Sequence, residues 1–226
     1  MKSLDSIIPN RIQCQKELKE FRSLLSSKDE LSESGDLLPF FRERKQLTAL
    51  VGGSLHPRIA VADLVAHEFD LDDYCCDFVV GESRRHTFLF VEFEDAKKNS
   101  IFSPRAEQRF MSEWGGRFEH GFSQIVDWAY KLYDMEKSVD TFEKRFGFRI
   151  IDPMSILVIG RSRFLSRSEG VRLDWRWKHV VVNNQQVWCI TYDQLLEEMQ
   201  YAITTYPAAA QLESTIDIGT RFHLSS

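Results

Sequence analysis

Apolar residues between Ile12 and Leu25 recur at helical spacing, and the stretch that follows, Ser26 to Asp36 (SSKDELSESGD), is polar almost throughout. That pairing predicts a first helix and then a linker, with the main domain boundary in the linker. Phe41, Leu47, Leu50 and Val51 return to helical spacing, so a second helix is expected from Leu38 to Val51, ended by Gly52-Gly53. Then the period changes. Tyr74 to Val80 (YCCDFVV) and Thr87 to Glu94 (TFLFVEFE) are short aromatic and β-branched runs flanking Gly81 to His86, which is the pattern of a β-hairpin. Phe118 to Met135 is helical again through Phe122, Ile125, Ala129 and Leu132. Ser155 to Gly160 and Val180 to Thr191 are expected as strands, the second folding back at Asn183-Asn184, and Asp193 to Ala202 closes the pattern as a helix. Helix, hairpin, helix, strand, strand, helix is the order of an α/β fold, an α+β sandwich around a mixed sheet. Residues 1–36 would be an N-terminal helix and polar linker, and residues 37–226 the main domain.

The 226 residues, 43% of them hydrophobic, suffice for a real core. The longest apolar runs are far too short to cross a bilayer, and the first fifteen residues carry Asp5, Pro9 and Arg11 instead of a continuous apolar stretch. A cytoplasmic protein without membrane attachment is the expectation. Cys14, Cys75, Cys76 and Cys189 form no CxxC pair, which argues against a zinc site or a disulfide framework. The net charge of −5 conceals an asymmetry: Lys144 to Lys178 holds nine bases and three acids, leaving −11 on the rest. Such a stretch is the footprint of a polyanion partner or a solvated face whose Arg stems cover apolar surface, and charge alone leaves both open. Arg161 and Arg163, at a strand end, are candidate phosphate contacts. Trp175 and Trp177, interleaved with Arg172, Arg176 and Lys178, either pack in a strand core or stack on bases.

The hairpin register decides whether carboxylates meet. Side chains alternate along a strand, so Phe88, Phe90, Glu92 and Glu94 share one face. A turn centred between Arg84 and Arg85 puts Asp77 opposite Glu92, with Cβ atoms about 4.5–5.5 Å apart. Two acids beside buried aromatics repel, and a hard divalent cation removes the conflict while keeping waters for a phosphate substrate. The competing reading is a strand end running into solvent.

Asp77, fourteen intervening residues and Glu92-Phe93-Glu94 together resemble the PD-(D/E)xK restriction-endonuclease-like signature. Gln124-Ile-Val-Asp-Trp128 is similar to the Gln-x-x-x-aromatic motif that accompanies many of these nucleases. The order VEFE, FEHGFSQIVDW, ILVIGR and ITYDQLLEEM resembles the nuclease domain of the Shedu anti-phage defence family, over roughly Leu38 to Gln200. The resemblance implies a restriction-endonuclease-like mixed sheet flanked by helices, a Mg²⁺ (or Mn²⁺) cofactor, DNA as substrate and a homo-oligomer. It implies Asp77 and Glu92 as metal ligands, with Glu94 and Gln124 completing the catalytic set, and Glu43 as an additional helix-borne acid. Glu94 departs from the pattern, whose usual residue there is Lys; some enzymes of this fold carry Glu as a base or second-cation ligand, and Lys97 or Lys98 would restore the charge. His120 shares a helix face with Gln124 and borders the same place. The alternative that keeps the fold without the chemistry is a catalytically silent nucleic-acid-binding or sensing module.

Overall fold

The computed structural model describes residues 3–104 and 111–205; the last part of the expected main domain, residues 206–226, lies outside the described residues. Seven strands form one mixed sheet: β1 (Asp5–Ser6), β2 (Leu64–Leu71), β3 (Tyr74–Glu82), β4 (Thr87–Phe93), β5 (Asp152–Val158), β6 (Val181–Val182) and β7 (Gln185–Ile190). Their order is β1-β2-β3-β4-β5-β7-β6, antiparallel from β1 to β4, parallel across β4-β5-β7, and antiparallel again at β6. Helices α1 (Arg11–Ser27), α2 (Leu38–Arg42), α3 (Lys45–Leu55) and α7 (Tyr192–Thr205) cover one face. Helices α4 (Gly116–Met135), α5 (Val139–Phe146) and α6 (Arg167–His179) cover the other. The result is the α+β sandwich that the hydrophobic pattern predicts.

The strands alternate as a two-sided sheet requires: Leu89, Val91 and Phe93 enter the first core layer, Phe88 and Phe90 the second. The hairpin pairs Phe78 with Val91 and Glu82 with Thr87, the register expected from a turn centred on Arg84-Arg85. Asn183 and Asn184 both take left-handed backbone (φ 49° and 63°), the conformation a tight two-residue hairpin demands.

Four expectations are corrected. The supposed linker is part of the fold: Leu31 and Leu37 are fully buried, Leu31 bridges to Ala96, and Glu33–Leu37 forms one π-helical turn. Leu18, Phe21 and Leu25 of α1 share the core layer of Phe78 and Phe93, so no boundary falls at residue 36. The second helix breaks at Glu43-Arg44, where Arg44 leaves helical backbone (φ −125°, ψ 70°), and α3 runs through Gly52-Gly53. Gly52 is there for packing, since a Cβ would lie 2.4 Å from Val80. Trp175 and Trp177 sit on a helix, α6, which opens with a capping box between Ser166 and Glu169.

β2 and its partner carry a device no periodicity announced. Glu68, in mid-strand, has φ 50°. On either side of it the faces invert: Val65 and Phe78 belong to the α1/α3 layer, but Phe69 and its partner Cys76 belong to the α4/α5 layer. Asp77 stands opposite this kink, at the step where the β3–β4 ladder also stops.

Candidate functional site

Beyond the Phe78–Val91 pair the two strands part, and the Asp77 side chain takes over from the ladder: its Oδ2 accepts the Phe93 N–H at 2.7 Å. That bond fixes the Asp77 carboxylate beside Glu92, the next residue of β4 in register. Glu92 is 5% exposed and Glu94 1%. β4 is held at this end from three directions. The Glu94 N–H donates to Val158 O (3.0 Å), Tyr192 Oη donates to Glu94 O (2.9 Å), and the Gly160 N–H donates to Asp95 O (3.0 Å).

Burial pushes the Asp77 carboxyl above the usual carboxylate range, against the pull of the Phe93 N–H, and the charges of Glu33 and Glu94 add to the rise. Glu92 is pushed up further, by burial first and then by Asp77, Glu94 and Glu33. Neither acid has an ion-pair partner among the described residues; Arg42 opposes the rise at Asp77 from a distance while it pairs with Glu68.

Glu94 is treated differently. His120 Nδ1 lies 2.9 Å from its Oε1 and Arg117 Nη1 3.3 Å from its Oε2. Arg117 also reaches Glu33 (3.4 Å) and Asp95 (3.6 Å). This contact needs α4 close to β4, and Gly121 allows it: a Cβ there would lie 2.7 Å from Leu157 Cδ1 and 3.0 Å from Glu94 Cγ. Gln124, one turn on from His120, keeps its Oε1 buried without a hydrogen-bond partner. An orphaned buried acceptor is costly, and it asks for a donor or a cation.

The hairpin brings Asp77, Glu92 and Glu94 within electrostatic reach of one another, and α4 sets His120 against Glu94, with Gln124 one turn further along that helix. Glu43 is not among them: it is exposed at the end of α2, 3.5 Å from Arg44. The acid that does arrive from the N-terminal segment is Glu33, raised by burial and by Glu94. It was hidden in the stretch read as linker, where only Leu31 and Leu37, one on each side of it, signal burial. Lys97 is spent on Asp95 (2.8 Å), and Lys98 is exposed, with its backbone N–H on Glu30; the cation that touches Glu94 is Arg117. Arg161 is corrected outright. It is 2% exposed, its Nε and Nη2 grip Asp193 at 2.9–3.1 Å, and its remaining donors go to the carbonyls of Leu25, Lys28 and Asp29. No phosphate reaches it. Arg163 is half exposed and pairs with Asp29.

Among the described residues, no group of three or more His, Cys, Asp or Glu side chains is arranged to hold a metal ion, and no helix is long and apolar enough to cross a membrane. The family described as Shedu protein SduA, C-terminal, matches residues 13–196, across the expected linker as well as the sheet. The chain belongs to the Shedu family. No curated protein matches it.

Proposed function

We propose that this chain, as a member of the Shedu family of anti-phage defence proteins, is a metal-dependent DNA nuclease that hydrolyses phosphodiester bonds, with Asp77 and Glu92 holding Mg²⁺ or Mn²⁺. The observation that carries the reading is a pair of carboxylates on neighbouring strands, Asp77 raised by burial and by the charges of Glu33 and Glu94, Glu92 by burial and by the charges of Asp77, Glu94 and Glu33, with no ion-pair partner for either among the described residues. Two acids suffice for a hard cation of this kind, which keeps several waters and a substrate oxygen as its other ligands. The orphaned Gln124 Oε1, one helical turn beyond His120, is a neutral oxygen with no donor of its own. When bound, the ion would polarise a phosphate oxygen and lower the pKa of a water.

The chain's own residues divide the remaining work. The Phe93 N–H keeps the Asp77 carboxylate oriented. Glu94 is the candidate base, and its contact with a 63% exposed His120 provides a route for the proton to solvent. Arg117, half exposed and anchored on Glu94, Glu33 and Asp95, supplies the positive charge that the departure from Lys removes.

Purified protein should nick or degrade DNA with Mg²⁺ or Mn²⁺; Glu92→Gln should abolish the activity, and Arg117→Ala should lower it by about 10²–10³-fold. Undiminished cleavage by a folded Glu92→Gln protein would overturn the site. A wild type that binds DNA without cutting it, alone or with phage components, would favour the silent binding or sensing module.

A further inference from the structure

Beside the first turns of α4 lies a groove of about 350 Å³, lined by Trp114, Arg172, Trp175, Arg176 and Val180. We infer that this groove binds an unpaired nucleotide of single-stranded nucleic acid, with the base stacked on Trp175. The inference rests on the nucleic-acid reading above and adds the form of strand that is recognised.

Trp175 is 59% exposed, an unfavourable position for so large an apolar side chain. Its indole is nevertheless held: the His179 ring stacks on it at 4.8 Å and 13°, and His179 Nδ1 lies 2.8 Å from the Trp175 carbonyl oxygen. A fixed, solvent-facing π surface is a platform that loses little entropy when a second ring lands on it. The groove's other aromatic is fixed too, since Trp114 stacks on Phe102 and on Phe118 at 4.5 Å each. Arg172 and Arg176 lie over this column, 4.7–5.2 Å from the Trp114 ring.

Charge selects the occupant. Arg172 donates to the Ser112 carbonyl (2.6 Å) and lies over the Phe102 and Trp114 rings, with Glu169 near enough to feel its charge, so it brings a cation to the groove wall. Arg167 and Lys178 lie on the same helix. Aromatic faces interleaved with cations match a chain of bases and phosphates. A duplex buries its base faces in its own stack, so only an unpaired base can offer one to an indole. The groove also adjoins the acid pair's surroundings: Arg176 grips Glu119 at 2.7 and 3.1 Å, next in sequence to His120.

The test is binding in EDTA, where no cleavage is needed, by anisotropy of a labelled short oligothymidine and of the same backbone without bases. Wild type should prefer the base-bearing strand by about tenfold, Trp175→Ala should erase that preference, and Trp175→Phe should restore most of it. Equal affinity of wild type for the two strands would overturn the proposal. So would a loss in Trp175→Ala that is the same for both strands, or a change in self-association with base preference intact, which would place the groove between copies of the chain. Base-dependent binding by a protein that never cuts DNA would end the nuclease reading and leave this one standing.

Discussion

Arg161 and Glu92 are buried to nearly the same depth, 2% and 5% exposed, and the chain handles their charges in opposite ways. Every donor of Arg161 is answered: Asp193 neutralises it from the start of α7, and the carbonyls of Leu25, Lys28 and Asp29 tie it to the end of α1. Burial drives the Glu92 carboxyl up, and its neighbours Asp77, Glu94 and Glu33, all of its own sign, drive it further. A buried charge with its partners supplied by the fold serves the fold. One whose partners are withheld weakens the fold, and the chain tolerates it where an outside partner completes it.

The largest expected effect breaks the satisfied side of this contrast. Arg161→Ala leaves Asp193 unpaired and three carbonyls without donors, so it should destabilise the protein by about 3–5 kcal/mol in denaturant titrations. A loss under about 1 kcal/mol would show that the node is not the fastener described.

Glu92→Gln tests the unsatisfied side, and the sign reverses. In EDTA the substitution should raise stability, each unit of pKa elevation relieved being about 1.4 kcal/mol. Because the folded-state carboxyl is raised, the folded protein keeps a proton that the unfolded chain loses. The contribution of Glu92 to metal-free stability should therefore be greatest below the usual carboxylate range and be lost as pH rises through and above it. Glu92→Gln should flatten that fall. Thermal melts of both proteins across pH in EDTA decide it: the advantage of Glu92→Gln over wild type should grow as pH rises, and an advantage that shrinks with pH would contradict the direction.

Gly121 lets α4 reach β4 on the unsatisfied side. Gly121→Ala should cost about 1–3 kcal/mol as Leu157 and Glu94 shift, and should lengthen the contact of His120 with Glu94. Cleavage should fall more than stability does; a stable variant with full activity would show that the approach of α4 is not needed.

How much of this was legible in the sequence depended on how far apart the partners lie. The Asp77–Glu92 register could be read because two apolar runs and one turn contain everything that sets it, and the Asn183-Asn184 turn likewise carries its own conformation. β2 was missed because His67, Glu68 and Asp70 break its alternation, and Glu68 inverts it. Glu33 was missed because polar neighbours on both sides conceal a turn anchored only by Leu31 and Leu37. The burial of Arg161 is invisible locally: its carbonyl partners are more than 130 residues away.

Arg163 gives the smallest effect and sharpens the comparison from the other end. It stands two residues from Arg161 and looks identical in sequence, yet half of it is in solvent and its partner Asp29 is more exposed still. An exposed pair of this kind contributes about 0–1 kcal/mol, so Arg163→Ala should leave the melting temperature almost unchanged. Its charge remains free to exchange Asp29 for a phosphate, an option Arg161 lacks. In DNA titrations over a range of salt concentrations, Arg163→Ala should weaken binding alike for all sequences and lower the salt slope by about one. Asp29→Asn should strengthen binding slightly, because it removes the competitor. An unchanged slope in Arg163→Ala would mean that Arg163 faces away from any polyanion, and the turn after β5 would then be a solvated face.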